Sequence, residues 1–83
     1  MPRTIQNTTL KDFKRFIKYK GLKVIRTTGG HEIWSSKSLF RPIILQTHID
    51  PIPEFIIRNN LRTLSSDKKE LLEFLNSKKS IKE

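Results

Sequence analysis

The sequence predicts an α+β fold in which a three-stranded antiparallel sheet packs all its helices on one face. A helical segment is followed by three short β-branched runs and then by further helical segments. A Gly-Gly pair lies between the first two β-branched runs, which is typical of a β-hairpin. Because three hairpin-linked strands bury a single sheet face, we expect the other face to be open to solvent.

The first helix is predicted to begin after Thr9 and to end at Gly21. Thr9 is a favourable N-cap, with Asp12 at the third helical position, and glycine commonly follows a helix C-terminus. Apolar residues spaced three or four apart predict one buried side, formed by Leu10, Phe13, Phe16 and Ile17. The opposite side is basic and carries Lys11, Lys14, Arg15 and Lys18.

Three strand segments follow this helix. They are predicted over residues 22–27, 31–35 and 42–46. Gly29 and Gly30 form the turn between the first two strands. Pro42 suits the first residue of a strand because it donates no hydrogen bond to the ladder.

Two more helices are predicted in the C-terminal half. The second runs from Glu54 to Leu64 after Pro53, a residue that fits the first helical turn. Its expected core residues, together with Phe55, are Ile57, Leu61 and Leu64. Ser65-Ser66-Asp67 can cap a third helix whose apolar stripe is Leu71, Leu72, Phe74 and Leu75.

Chain length and composition restrict the function classes. Eighty-three residues allow one domain, predicted over 1–83 with its core at about 8–76 and a basic tail at 77–83. There is no room for a separate cofactor domain, so we expect no small-molecule cofactor. The sequence has no cysteine, which excludes disulfides, thiol nucleophiles and Cys-ligated zinc. No apolar run approaches the ~20 residues of a membrane span, and the start lacks a signal-peptide core, so we expect a cytoplasmic protein with no membrane partner.

The charge indicates the class of partner. Seventeen Lys or Arg against eight Asp or Glu give a net charge of +9. Such an excess is typical of proteins that bind a polyanion, most often nucleic acid, although a basic surface can also serve solubility alone.

The sharpest motif is Gly29-Gly30-His31. Histidine titrates close to neutral pH, so an imidazole beside two small glycines can exchange protons at a phosphate or a ribose hydroxyl. The alternative is a turn followed by an ordinary strand residue. His48 is the second histidine and a possible auxiliary group. His48, Asp50 and Glu54 follow no metal-ligand spacing, so no metal site is predicted.

The candidate RNA contacts combine cations with the glycine turn. Shape and backbone contact fit this chain better than an aromatic array, because most aromatics lie on predicted core positions. Trp34 and Tyr19 are the candidates for stacking on bases, although a tryptophan is more often core. The predicted RNA-binding set is Lys23, Arg26, Gly29, Gly30, Trp34, Arg58 and Arg62.

The order of these motifs resembles the HicA family of bacterial toxins. The family pattern is a glycine closing the first helix, an arginine before Gly-Ser-His with an aromatic nearby, Pro-x-His after the third strand, and a helix with Leu-Arg-x-x-Leu. The matching residues, within about 8–76, are Gly21, Arg26, Gly29-Gly30-His31, Trp34, Gln46-Thr47-His48 and the helix residues 57–62. Two positions depart from the pattern: Gly30 replaces a serine and Gln46 replaces a proline.

The resemblance implies a double-stranded-RNA-binding-domain-like (dsRBD-like) α-β-β-β-α fold with an added C-terminal helix. It also implies messenger-RNA cleavage dependent on His31 and neutralisation by a cognate HicB-like antitoxin. We expect the reaction to need no metal, with Lys23 or Arg26 offsetting charge on the phosphate. The alternatives are a non-catalytic module that binds double-stranded RNA or other nucleic acid, and a protein-interaction domain for an acidic partner.

Overall fold

The computed structural model describes residues 8–77, in the order of elements that the sequence predicts. Those elements are α1 (Leu10–Tyr19), β1 (Lys23–Thr28), β2 (His31–Ser35), β3 (Ile43–Gln46), α2 (Glu54–Thr63) and α3 (Lys68–Ser77). The fold is α+β, with three helices and a three-stranded open antiparallel sheet. Of the predicted tail 77–83, Ser77 belongs to α3 and residues 78–83 lie outside the described residues.

The predicted signals fix both ends of α1. The Asp12 backbone N–H donates to Thr9 Oγ1 at 3.1 Å, which confirms the N-cap. Gly21 has a φ of +95°, a conformation that glycine adopts without a Cβ penalty. The Leu10 N–H also donates to Asp50 Oδ1 at 2.9 Å, so the start of α1 is tied to the loop before α2.

A cap and an ion pair hold α3 in place. Asp67 Oδ1 accepts a hydrogen bond from the Glu70 N–H at 2.8 Å, as expected for a capping aspartate. Lys20 Nζ lies 2.8 Å from Glu70 Oε2, which joins α3 to the end of α1. The hydrogen bond from Lys20, followed by one from the Ser66 hydroxyl, lowers the pKa of the Glu70 carboxyl below its ordinary value.

The sheet has the order β1-β2-β3, and both neighbouring pairs are antiparallel. Thr28 pairs with His31 across the two-residue Gly-Gly turn, in which only Gly29 has a positive φ, +53°. The β1–β2 register shifts between Val24 and Arg26, so Ile25 forms a bulge in β1. A bulge sets two residues of one strand opposite one residue of its partner.

One core lies between the sheet and the helices. All three helices contribute to it, and the sheet contributes Trp34, Ile43 and Leu45. The fully buried side chains include Phe13, Phe16, Ile17, Ile57 and Leu71. Burying each such side chain stabilises the fold by roughly 1.5–3 kcal/mol. The helices therefore cover one face of β2 and β3, whereas all six residues of β1 are exposed. The prediction that the helices lie on one sheet face holds for two of the three strands. Within residues 8–77 no helix has both the length and the apolar character to cross a membrane.

Phe55 is not a core residue, contrary to the prediction. It is 66% exposed, whereas Ile57 and Leu61 on the same helix are buried. Phe55 precedes Ile57 by two residues, which turns its side chain about 200° around the helix from the buried stripe. The core side of α2 therefore excludes Phe55.

Candidate functional site

The site is the sheet face turned away from the helices, which we call the open face. Directly opposite residues of paired strands share a face, and Trp34 and Ile43 pair on the core side. The register therefore places the alternate residues on the open face: Lys23, Arg26, Thr28, His31, Ile33, Ser35, Ile44 and Gln46.

His31 lies at the end of the open face, at the first position of β2. Its cross-strand neighbours are Thr28 on β1 and Gln46 on β3. Its side chain is partly exposed, and no hydrogen bond from another described residue holds the imidazole. A hydroxyl and an amide thus flank an accessible imidazole. Neither group was among the predicted site residues, although a two-residue turn should pair the residues on each side of it, Thr28 and His31.

The bulge at Ile25 brings two cations onto the face of His31. Lys23 and Arg26 are three residues apart, so a regular strand would point them to opposite faces. With the bulge, Lys23 pairs with Ser35 and Arg26 pairs with Ile33. Both cations therefore lie on the open face. This arrangement depends on one extra residue in β1.

Arg26 is the nearer cation to His31. Its partner Ile33 is two residues from His31, and diagonal neighbours in a sheet are separated by about 7–8 Å. Lys23 pairs with Ser35, four residues from His31, which is roughly 13 Å along the strand. Of the two predicted phosphate contacts, Arg26 is placed to act beside His31, and Lys23 extends the positive face.

No carboxylate among residues 8–77 pairs with the cations of this part of the sheet, Lys23 and Arg26. Glu32 belongs to the opposite face, where Glu32 Oε1 lies 3.1 Å from Lys14 Nζ and 3.2 Å from Trp34 Nε1. The open face is consequently positive, while part of the basic side of α1 is paired with acids.

Trp34 is not available to stack on RNA. It is 2% exposed and packs in the core, and its indole N–H donates to Glu32. This burial corrects the assignment of Trp34 to the RNA-binding set. Tyr19 is 44% exposed but packs against Phe74 in the helical layer, with ring centroids 4.9 Å apart. Neither aromatic therefore contributes to the open face.

His48 lies against the glycine turn. A Cβ added to Gly30 would be 3.1 Å from His48 Nδ1, and the Gly30 carbonyl accepts a hydrogen bond from Thr47 N at 2.7 Å. Because Gly30 has no side chain, the His48 ring can lie against the turn, next to the residue that precedes His31. The structure brings His48 next to the turn, but no hydrogen bond joins the two imidazoles in the described part of the chain.

The two arginines of α2 lie elsewhere. Arg58 forms an ion pair with Glu54, with Nη2 and Oε2 2.7 Å apart. Arg62 lines a groove with Arg41 at the end of α2, away from the residues of the open face. The structure therefore does not group Arg58 and Arg62 with Lys23 and Arg26.

The arrangement allows proton exchange at an accessible imidazole on a cationic surface. Among residues 8–77, no three His, Cys, Asp or Glu side chains converge to hold a metal ion. Comparison with protein-family models, curated proteins and solved structures gives no match to this chain.

Proposed function

We propose that this protein is a HicA-type endoribonuclease toxin with a dsRBD-like fold that cleaves messenger RNA. The observation that carries the proposal is the position of His31, which lies on an open, cationic sheet face with Arg26 as its diagonal neighbour. The α-β-β-β-α order, the Gly-Gly-His turn and the net charge of +9 support the same function.

The reaction follows from the groups around His31. The ribose 2′-oxygen attacks the phosphorus in line while the bond from phosphorus to the 5′-oxygen breaks. His31 acts either as base towards the 2′-hydroxyl proton, with water protonating the departing 5′-oxygen, or as acid towards that oxygen, with water accepting the 2′-hydroxyl proton. Either role contributes about 10²–10⁴ in rate. The products are a 2′,3′-cyclic phosphate and a 5′-hydroxyl, and the reaction uses no metal.

Arg26 supplies the complementary charge. Negative charge grows on the phosphate oxygens as the fifth bond to phosphorus forms. A fixed donor aimed at such a charge lowers the barrier by about 2–4 kcal/mol. Arg26 has no acidic partner in the described chain, so its guanidinium is free to bind the phosphate. Lys23, farther along the same face, binds a neighbouring phosphate, and His48 is an auxiliary group beside the turn.

The same face is suited to a cognate HicB-like antitoxin. An acidic protein surface is attracted to Lys23 and Arg26 and blocks access to His31. The exposed apolar residue Ile44, 51% accessible on the same face, adds area that a partner protein can bury. Cytoplasmic location is part of this proposal, because the substrate is messenger RNA.

Induction in growing cells tests the proposal. We expect the wild-type chain to arrest growth and degrade transcripts and His31→Ala to do neither at matched protein levels. Arg26→Gln should weaken both effects. Lys69→Gln, on the exposed surface of α3, is the charge-matched control and should behave as wild type. Equal arrest and equal RNA loss with wild type and His31→Ala would refute the catalytic assignment.

One observation favours a second function, a non-catalytic RNA-binding module. Catalytic imidazoles are commonly oriented by a hydrogen bond to the second ring nitrogen, and within residues 8–77 His31 has no such bond. A binding module predicts salt-dependent RNA association and intact RNA after prolonged incubation. Recovery of full-length RNA from a saturated complex with the wild-type chain would support this alternative.

A further inference from the structure

Phe40 is the most exposed of the large apolar side chains in the described residues. It lies in the loop between β2 and β3 and is 97% accessible. An aromatic ring held entirely in water contributes nothing to the core, and its face is available to another molecule. The ring is followed directly by Arg41, which is also exposed.

Phe40 borders a groove that is strongly cationic. The groove has a volume of about 550 Å³ and lies between the β2–β3 loop and the end of α2. Its lining residues are Phe40, Arg41, Asn59, Arg62, Thr63 and Ser65. The lining contains two arginines and no carboxylate, and neither arginine forms an ion pair within the described residues. This composition is complementary to a phosphate backbone with a base beside it, not to a neutral apolar segment.

The groove shares one lining residue, Asn59, with a second cleft that reaches β3. That cleft includes Gln46 and Ile44. Gln46 is the cross-strand neighbour of His31. Arg41 precedes Gln46 by five residues, which corresponds to about 17 Å of extended chain. A few stacked nucleotides cover that distance, since successive nucleotides rise by about 3.4 Å.

We propose that this groove binds the single-stranded RNA that continues from the cleavage site, with one unpaired base stacked on Phe40 and phosphates bound by Arg41 and Arg62. The proposal rests on the proposed function because it places the scissile nucleotide at His31. It adds a second contact region that holds the substrate strand, on the side of β3 and α2. Asn59, between the two regions, offers an amide to a base edge or a phosphate.

Binding to the catalytically inactive full-length His31→Ala chain tests the groove separately from cleavage. The probe is a fluorescently labelled, unstructured oligoribonucleotide, and the measurement is fluorescence anisotropy over a salt series. In this background, Phe40→Ala should weaken Kd about tenfold, and duplex RNA of the same length should show a smaller loss. Arg41→Gln and Arg62→Gln should each reduce the slope of log K against log salt by about 0.7.

Matched controls separate the groove from general surface effects. Phe55→Ala removes another exposed aromatic ring, outside the groove, and Lys69→Gln removes one exposed charge on α3. Both should leave Kd for the single strand within about twofold, because surface changes away from the contact cost little. Circular dichroism of each variant confirms that the fold is retained.

The outcomes distinguish the groove from the proposed function. If Phe40→Ala and both arginine variants bind single-stranded RNA as tightly as the parent chain, the groove proposal is overturned, whatever the cleavage result. If Phe40→Ala weakens Kd equally for single-stranded and duplex RNA, the stacking role of Phe40 is overturned. Failure of the otherwise wild-type chain to cut RNA refutes the proposed function, while selective losses by the groove variants still establish the groove as an RNA contact.

Discussion

Replacement of Leu71 by alanine tests whether α3 is part of the core or an appendage to the α-β-β-β-α unit. Leu71 is fully buried at 0% exposure. The change removes three buried carbons, worth about 2.4 kcal/mol at roughly 0.8 kcal/mol each, and the cavity adds to this. We expect a loss of about 3–4 kcal/mol. A chain of this size has a total stability of about 4–12 kcal/mol, so the loss is a large fraction of it.

The control is Leu72→Ala, the same change at the adjacent position of the same helix. Leu72 is only partly buried against the core, so we expect a loss of about 1 kcal/mol. Urea denaturation should show both losses of unfolding free energy with an unchanged m-value. Leu71→Ala should also lower Tm by at least about 12 °C. Equal effects of the two changes, or a loss below about 1 kcal/mol at Leu71, would refute the packing of α3 into the core.

Three further predictions concern the Lys20–Glu70 ion pair, the Gly29-Gly30 turn and Trp34. Because hydrogen bonds from Lys20 and Ser66 lower the pKa of Glu70, the folded state gains stability from its ionised form above the ordinary pKa and loses that gain as the pH falls through the lowered value. Glu70→Gln should therefore be less stable than wild type at pH 7 by under about 1 kcal/mol, since the pair is partly exposed. The gap should shrink as the pH falls below the ordinary carboxyl pKa, and a gap of constant size across an acid titration contradicts this. Gly29→Ala should lower the free energy of unfolding, measured with urea, by about 1–2 kcal/mol because φ is +53°. Gly30→Ala should cost less, because its close contact, at 3.1 Å, is with the exposed His48 ring and Thr47 Oγ1 is at 4.0 Å. The reverse order would overturn the turn geometry. Trp34, the single tryptophan, should fluoresce as a buried indole that acrylamide quenches only after unfolding, and quenching of the native protein would contradict its place in the core.

The helices and the hairpin could be predicted because local chemistry determines them. Thr9 has the side-chain acceptor that a helix start requires, and Gly21 tolerates the positive φ that follows α1. The Gly29-Gly30 pair limits the turn to two residues and so places Thr28 opposite His31. These features depend on residues close in sequence, which is why patterns of type and spacing indicate them.

The features that arrange the site depend on longer-range packing. No residue type marks Ile25 as a bulge, yet this bulge decides that Lys23 and Arg26 share a face. The sequence allows Trp34 to be a stacking platform, although a core position is the more common one, and its burial is decided only by the packing of β3 and the helices around it. Phe40 and Arg41 form a groove with Arg62 only because the β2–β3 loop lies beside the end of α2. Sequence spacing does not encode that proximity.

Cleavage of a defined oligoribonucleotide by the purified chain, in EDTA, tests the central claim most directly. RNA and the same sequence with 2′-O-methyl riboses are incubated with wild type and with His31→Ala, and the product ends are identified by mass spectrometry. We predict that the wild type cuts only the unmodified RNA and leaves 2′,3′-cyclic phosphate ends, and that His31→Ala is slower by at least about 100-fold. Equal rates for the two proteins, or cleavage of the methylated strand, would contradict an imidazole acting on the 2′-hydroxyl.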